Sequence, residues 1–205
     1  MTPLVGCFLW DGQPAARGLK YGPEHVHALV RQVARYLPGA RVVVVADRNV
    51  PHVETIRFTP EAVTGPGSWS WPKLLMWSGI TGERTLWLDL DTVIVADMAP
   101  LVDRPEPVVM WRDPSGRGYN TSMVLMDHDA APQVWSARTQ AVGNDQSWAS
   151  QVLGPKMPTW GTSDGVASWK RHCRPTMPDG TRVVFFHGRP KPWDLPEWVD
   201  RWACL

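Results

Sequence analysis

Residues 86–95 read LWLDLDTVIV and place two carboxylates, Asp89 and Asp91, where an apolar strand is predicted to end. In an extended chain, side chains two residues apart point the same way, so both carboxylates can meet one hard cation. A divalent ion such as Mg²⁺ or Mn²⁺ would remove the repulsion between them and leave coordination sites open for phosphate oxygens. A solvated pair of aspartates in a turn is the alternative interpretation of so short a pattern.

The segments before this motif predict a β-α-β unit. Leu4–Trp10 is a short apolar run before a turn, Pro23–Tyr36 has apolar residues at helical spacing, and Arg41–Ala46 is a continuous β-branched run. A right-handed crossover makes the two strands parallel. Because ligands bind at the carboxyl ends of strands in open α/β sheets, the aspartate pair is expected at a ligand-binding edge.

The rest of the chain predicts an α/β fold with a mixed, mostly parallel sheet flanked by helices. Further strands are predicted at Val53–Phe58, Thr85–Leu88, Val93–Val95, Val108–Trp111, Ser122–Met126 and Arg182–His187, and helices at Trp71–Ile80, Ala131–Val142 and Asp145–Val152. A loop is expected at 64–70, and a proline-heavy tail closes the chain. No linker divides the sequence, so 1–205 is expected to form a single domain.

Composition excludes several classes of protein. The chain has 205 residues, of which 43% are hydrophobic and 20% charged, as in an ordinary globular protein rather than a disordered one. Its net charge of +1 gives no support for a nucleic-acid coat, although a local basic patch stays open. We expect no signal peptide and no membrane span. Three widely spaced cysteines favour reduced thiols, so a cytoplasmic location is expected, a virus-infected cell included.

Two classes of enzyme share the aspartate motif. Asp89, Asp91 and Thr92 match the D-x-D-x-T pattern of haloacid-dehalogenase-like phosphatases, in which the first Asp is the nucleophile. That motif normally opens the phosphatase core, whereas here a β-α-β unit and a further helix precede it. Glycosyltransferases of the GT-A fold use D-x-D to hold a metal on a sugar-nucleotide diphosphate.

Several blocks in the right order favour the second class. They are Trp71-Pro-Lys73-Leu-Leu-Met-Trp77, Leu86–Val95, Tyr119-Asn120-Thr-Ser122-Met-Val-Leu-Met126, Asn144-Asp145-Gln146 and Phe186-His187-Gly188-Arg-Pro-Lys191-Pro-Trp193. With these blocks the chain resembles compact GT-A glycosyltransferases of the family 8 group, the glycogenin and galactosyltransferase type with its small bacterial and viral members. The resemblance covers most of the chain from residue 71 onward.

The resemblance implies a metal-dependent hexosyltransferase that uses a nucleotide sugar, with UDP the commonest carrier. Asp89, Asp91 and His187 would bind Mn²⁺ or Mg²⁺. Lys73 and Lys191 would lie at the diphosphate, where positive charge stabilises the departing group. Each residue also has an alternative interpretation. His187 could be a histidine at a strand end whose hydrogen bonds are made within the fold. Lys73 could be a surface residue of a helix, and Lys191 could contact solvent in the tail.

The remaining implied residues bind the donor or act at the reaction centre. Donor binding is predicted for Trp10, Lys20, Tyr21, Asn120, Ser122 and Gly188, and catalytic roles for Asp145 and Gln146. Trp10 and Tyr21 could stack on the base, or simply pack against the core and its rim. Either Asn144 or Asp145 could instead be a helix N-cap. Since Gln146 is a poor nucleophile, front-face displacement with retention of the anomeric configuration is expected.

The acceptor stays open at this point. It could be a hydroxymethylated DNA base, a glycan or another hydroxyl compound, and the basic stretch Lys170–Arg174 could guide an anionic acceptor. Residues before about Asp91 are expected to form the nucleotide half, and 92–205 the sugar and acceptor half. A carbohydrate- or DNA-binding module without catalysis is the non-enzyme alternative, because the chain contains 13 tryptophans.

Overall fold

A seven-stranded sheet organises the protein, whose computed structural model describes residues 2–11, 21–59, 71–116, 118–140 and 143–204. Its strands are β1 (Leu4–Leu9), β2 (Arg41–Ala46), β3 (Glu54–Arg57), β4 (Thr85–Leu88), β6 (Val108–Arg112), β7 (Tyr119–Met126) and β8 (Thr159–Trp160), in the order β3-β2-β1-β4-β7-β6-β8. The pairs β3-β2, β2-β1, β1-β4 and β6-β8 are parallel, and β7 is antiparallel to both neighbours. The mixed, mostly parallel sheet is therefore confirmed.

A second sheet of three strands was not predicted. It contains β5 (Thr92–Ile94), β9 (Val166–Ser168) and β10 (Val183–Phe185) in the order β5-β10-β9. The strand β10 is antiparallel to β5 and parallel to β9, with Phe185 opposite Ser168. The two sheets are joined directly, because the Asp89–Asp91 turn alone separates β4 from β5.

The helices cover the sheets. They are α1 (Pro23–Tyr36), α2 (Ala99–Val102), α3 (Gln133–Ser136), α4 (Asp145–Leu153), α5 (Trp169–His172) and α6 (Pro196–Ala203). Short 3₁₀ helices lie at Trp71–Ser78, Arg138–Gln140, Thr162–Asp164 and Pro192–Asp194. The apolar face of α1 packs on β1, β2 and β5, as its spacing predicts. None of the helices within the described ranges is long and apolar enough to cross a membrane.

Three predictions about elements are corrected by the structure. Trp71–Ile80, predicted as a helix, is a 3₁₀ helix that ends at Ser78. Within the described part of the helix expected over Ala131–Val142, the α-helix covers Gln133–Ser136 and a 3₁₀ turn follows at Arg138–Gln140. The proline-heavy tail contains α6, whose Pro196 occupies the first turn, where a missing N–H is tolerated. The loop expected at 64–70 lies outside the described residues.

A close approach between two central strands depends on a glycine. A Cβ atom on Gly6 of β1 would lie 2.5 Å from the ring of Trp87 in the neighbouring β4. That ring also stacks on Phe8, with 4.9 Å between the ring centroids. The indole of Trp87 therefore fills the space above Gly6 and sets the packing beneath the Asp89 turn.

Candidate active site

The turn that carries Asp89 and Asp91 is fixed through its backbone at the carboxyl end of β4. The N–H of Asp89 donates to the carbonyl of Ser122 on β7 at 3.1 Å. The hydroxyl of Thr92 donates to the carbonyl of Asp89 at 2.6 Å, which closes the turn. The Asp91 side chain is only 11% exposed, against 30% for Asp89. Both carboxylates are thus presented at the ligand-binding edge that the strand order predicts.

Lys73 enters this edge from the 3₁₀ helix. Its Nζ lies 2.7 Å from Oδ1 of Asp89 and 3.5 Å from Oδ2 of Asp145. Burial lowers the pKa of Lys73, but these carboxylates outweigh it and the pKa is raised overall. Burial alone would raise the pKa of Asp89, but the nearby Lys73 ammonium lowers it by more, so the pKa of Asp89 falls below its ordinary value. Both groups are therefore charged, and the surface position considered for Lys73 is wrong.

Lys191 approaches the other carboxylate from the segment after β10. Its Nζ contacts Oδ2 of Asp91 and donates to the carbonyl of Phe186 at 3.0 Å. The Lys191 side chain is 4% exposed, so the alternative interpretation, a solvent contact in the tail, is wrong. The hydroxyl of Tyr21 donates to the same Asp91 oxygen at 3.1 Å. Burial and the nearby Asp91 and Asp89 carboxylates raise the pKa of Tyr21, so its hydroxyl stays protonated.

His187 follows β10 and lies within electrostatic reach of the two carboxylates. Its Nε2 atom is buried and has no hydrogen-bond partner among the described residues. The ring stacks on Trp111, with 4.9 Å between centroids and 16° between planes. Burial lowers the pKa of His187, and the Asp91 and Asp89 carboxylates only partly oppose this effect. A neutral imidazole in this position can donate a lone pair to a ligand.

The three predicted metal ligands do not form a tight cluster in the structure. Within the described ranges, no three His, Cys, Asp or Glu side chains are grouped closely enough to hold an ion. The ammonium groups of Lys73 and Lys191 contact the two carboxylates instead. The donor set still fits Mn²⁺ or Mg²⁺, because it joins two carboxylates to a neutral imidazole whose Nε2 lacks a partner among the described residues. The metal-binding role of Asp89, Asp91 and His187 therefore remains a prediction.

Asp145 faces the same site from the first turn of α4. Asn144, not Asp145, caps the helix, since its Oδ1 accepts the N–H of Ser147 at 2.8 Å. The Asp145 carboxylate instead accepts a hydrogen bond from the hydroxyl of Thr121, which also lies 3.4 Å from Lys73 Nζ. Sequence reasoning missed Thr121, although it lies between the two β7 residues that were singled out.

Gln146 and Asn120 are joined through a carboxylate that the sequence analysis also missed. Oδ2 of Asp113 accepts from Nε2 of Gln146 at 2.7 Å and from Nδ2 of Asn120 at 3.3 Å. Burial raises the pKa of Asp113, but its hydrogen bonds with Ser115, Asn120 and Gln146 outweigh this and lower it. Asp113 directly follows the apolar strand β6, so the reasoning applied to Asp89 would have found it.

The other predicted donor-binding residues lie in different surroundings. Ser122 is buried and its side chain is hydrogen-bonded to Asp89. Gly188 is exposed, with a φ of 62° that favours glycine. Trp10 is buried in the core, which favours the packing interpretation over base stacking. Lys20 lies outside the described residues.

A polar cavity of about 450 Å³ lies beside Gln146. The described residues that line it are Gly118, Asn144, Gln146, Ser147, Ser150 and Gln151. Their side chains present hydroxyl and amide groups, which can hydrogen-bond a hydroxylated molecule. The cavity therefore adjoins the site through Gln146.

Comparison with solved structures identifies the fold. The glycosyltransferase GlyE of Streptococcus pneumoniae TIGR4 matches with a TM-score of 0.71 and 11% identity, over 100% of this chain and 61% of that one. The galactosyltransferase LgtC, solved with donor and acceptor sugar analogues, matches with a TM-score of 0.70 and 12% identity, over 98% and 96% of the two chains. The chain has the GT-A glycosyltransferase fold. The bifunctional glycosyltransferase WbbM shares this GT-A fold with a TM-score of 0.66 and 12% identity, over 98% of this chain and 48% of that one.

The likeness lies in the fold rather than in the sequence. No protein-family model matches the chain, and no curated protein is similar to it. The chain spans 61% of the length of GlyE but almost the whole of LgtC. In the GT-A fold, the site built around Asp89 and Asp91 occupies the carboxyl edge of the central strands, as the sequence resemblance implies. The expected division at Asp91 into nucleotide and sugar halves stays a prediction, and the main sheet takes strands from both sides of it.

Proposed function

We propose that the protein is a glycosyltransferase that moves a hexose from a nucleotide sugar to a hydroxyl acceptor. We expect the nucleotide sugar to be a UDP-sugar. One observation carries the proposal: two buried lysines, Lys73 and Lys191, converge on the Asp89–Asp91 turn. A binding module needs no such constellation. The solved structures named above are glycosyltransferases, which favours this activity over the phosphatase alternative.

The leaving group would be stabilised by positive charge from this chain. Transfer breaks the bond between the anomeric carbon and the diphosphate oxygen, which leaves with the electron pair. Lys73 and Lys191 are fixed by their ion pairs before substrate arrives, so little reorganisation is needed as charge develops. A divalent ion held by Asp89, Asp91 and His187 would supply Lewis-acid stabilisation of the same diphosphate.

The sugar would lie between the aspartate turn and α4. Asp145 and Asn120 are buried polar groups that can hold sugar hydroxyls. Asp113 holds Gln146 by its Nε2 atom and so fixes the orientation of the amide near the anomeric carbon. The acceptor hydroxyl loses its proton to the departing diphosphate as the new C–O bond forms on the same face. This front-face route retains the anomeric configuration, and an inverted product in the NMR spectrum would contradict it.

Calorimetric titration with UDP and UDP-glucose tests the proposal. We expect binding with Mn²⁺ present and none with a chelator. His187→Ala should abolish the manganese-dependent binding, because it removes the Nε2 atom that has no partner among the described residues. His128→Ala, in an exposed turn remote from the site in sequence and fold, is the matched control and should behave as the unaltered protein. Equal binding with Mn²⁺ and with chelator would refute the metal site.

A further inference from the structure

The segment that closes the site is strongly basic. Residues 169–191 contain six of the chain's 21 Lys and Arg residues and one of its 20 acidic residues. Because the whole chain has a net charge of +1, the remainder is net acidic. Three of these cations, Lys170, Arg171 and Arg174, are exposed on α5 and the turn that follows it. A concentration of one sign of charge on one face creates a potential that attracts the opposite sign.

These three cations lie outside the ion pairs that the described residues form. In the part of the chain that the structure describes, none of them forms an ion pair with an Asp or Glu carboxylate. Elsewhere the arginines are commonly paired, as Arg41 is with Glu54 and Glu83. The positive charge on α5 is therefore available to a ligand.

The topology places this charge beside the active site. The strands β9 and β10 are parallel and end together, with Ser168 opposite Phe185. The helix α5 follows β9 directly, and the segment with His187 follows β10. A methyl group added to Gly188 would lie 3.4 Å from Nζ of Lys170, so that ammonium group lies over the backbone next to His187.

A stack of side chains connects this surface to the site. The Arg174 guanidinium lies 3.8 Å from the centroid of the Trp169 ring. Trp169 in turn stacks on Phe186, with 5.4 Å between centroids and 19° between planes. Since Phe186 precedes His187, the stack joins Arg174 and α5 to the segment that carries His187.

We propose that Lys170, Arg171 and Arg174 form the docking surface for a nucleic-acid acceptor, whose backbone phosphates contact them while a hydroxyl on a base or sugar enters the site. This inference rests on the proposed function. Cations contribute most to affinity for a phosphate backbone. Binding to a lipid surface strengthens with the apolar area inserted, whereas Trp169 and Cys173, the apolar residues here, are only 5% and 6% exposed.

Fluorescence anisotropy with a labelled single-stranded oligonucleotide of mixed sequence tests the surface. We expect binding that weakens as the salt concentration rises. In the Lys170→Ala/Arg174→Ala variant, the slope of the logarithm of the binding constant against the logarithm of the salt concentration should be smaller in magnitude by about 1.4. This value is about 0.7 for each phosphate that no longer contacts a cation. The control removes the same charge from other elements, with Arg35→Ala/Lys156→Ala. Both control residues are exposed, Arg35 on α1 and Lys156 in the turn after α4.

The outcomes separate this surface from the proposed activity. Calorimetry with UDP and Mn²⁺ should give the same affinity for both double variants as for the unaltered protein. Absence of oligonucleotide binding, or an equal loss in the control, would overturn the docking surface while leaving the transferase proposal intact. Binding to vesicles containing phosphatidylserine that depends on Lys170 and Arg174, without oligonucleotide binding, would overturn it in favour of lipid. Oligonucleotide binding without any nucleotide binding would instead remove the transferase and the acceptor role together.

Discussion

Lys191 shows how the environment of a single residue determines its role. Its side chain is almost fully buried, and its ammonium group has two oxygen partners, the Asp91 carboxylate and the Phe186 carbonyl. Burying an ammonium group without partners is costly, and these two oxygen partners offset that cost. The residue therefore both closes the C-terminal segment over the site and supplies fixed charge to it.

Replacing Lys191 tests the structural half of this role. Lys191→Met leaves the Asp91 carboxylate buried without its cation, which should lower the free energy of unfolding by about 3–5 kcal/mol. Urea denaturation measures it, with Lys156→Met in an exposed turn as the control. A midpoint equal to that of the control would show that the ion pair does not stabilise the fold.

Asp113 is predicted to act through the residues it holds. Asp113→Asn replaces one of the two carboxylate oxygens with an NH₂ group, which cannot accept a hydrogen bond. Depending on which oxygen is replaced, the acceptor is lost to Asn120 and Gln146 or to Ser115. We expect kcat for hydrolysis of the donor to fall about 10- to 100-fold through misplacement of Gln146, with the Kd for UDP unchanged. Asp103→Asn, at an exposed position after α2, is the control. A weaker Kd with unchanged kcat would place Asp113 in donor binding instead.

At the scale of elements, the packing of β1 against β4 supports the metal-motif turn. Gly6→Ala would bring a Cβ atom to 2.5 Å from the Trp87 ring, and relieving the overlap should cost about 1–3 kcal/mol of unfolding free energy. Gly161→Ala is the matched control, because Gly161 has a φ of −137° and nothing lies within 4 Å of its added Cβ. Thermal denaturation of both variants measures the difference, and equal melting temperatures would contradict the packing argument.

The element α5 carries a pH-dependent hydrogen bond. Nδ1 of His172 accepts the N–H of Ser168 at 3.0 Å, and burial, with help from Arg171, lowers the pKa of His172 below its ordinary value of 6.5. The unfolded chain therefore takes up a proton first as pH falls, so this contribution to stability is full above 6.5 and is lost below it. His172→Asn should reduce the loss of unfolding free energy between about pH 7 and pH 5. An unchanged pH profile would show that the histidine does not titrate on unfolding.

At the scale of the whole molecule, Gln32 connects the layers. This fully buried residue of α1 accepts the N–H of Ile94 in β5 at 2.6 Å and donates to the carbonyl of Trp202 in α6 at 2.9 Å. Gln32→Leu removes the hydrogen-bond partner of the Ile94 N–H and of the Trp202 carbonyl. Each loss should lower the free energy of unfolding by about 1–3 kcal/mol. Gln133→Leu on an exposed position is the control. Equal denaturation midpoints would contradict the connecting role.

The predictable part of the fold is the part with strong local patterns. Residues 23–36 and 41–46 have regular apolar spacing, and their helix and strand were predicted with the bounds observed. The strands β8 and β9 contain only two or three residues, and tertiary packing rather than local pattern determines them. In the site, the Asp89–Asp91 pair has a sequence signal, whereas the burial of Lys73 and the partnership of Asp113 with Gln146 depend on segments far apart in sequence. Sequence reasoning alone therefore finds the edge of the site but not its hydrogen-bond network.

The charge balance of the site has a thermodynamic consequence. Three carboxylates, from Asp89, Asp91 and Asp145, face two ammonium groups, from Lys73 and Lys191. A divalent cation alone would make the site net positive, and a diphosphate alone would make it strongly negative. Both together restore the original charge, so the two ligands should bind synergistically, each strengthening the other by the same factor. The protein would then discriminate against either free ion or free nucleotide and select their complex.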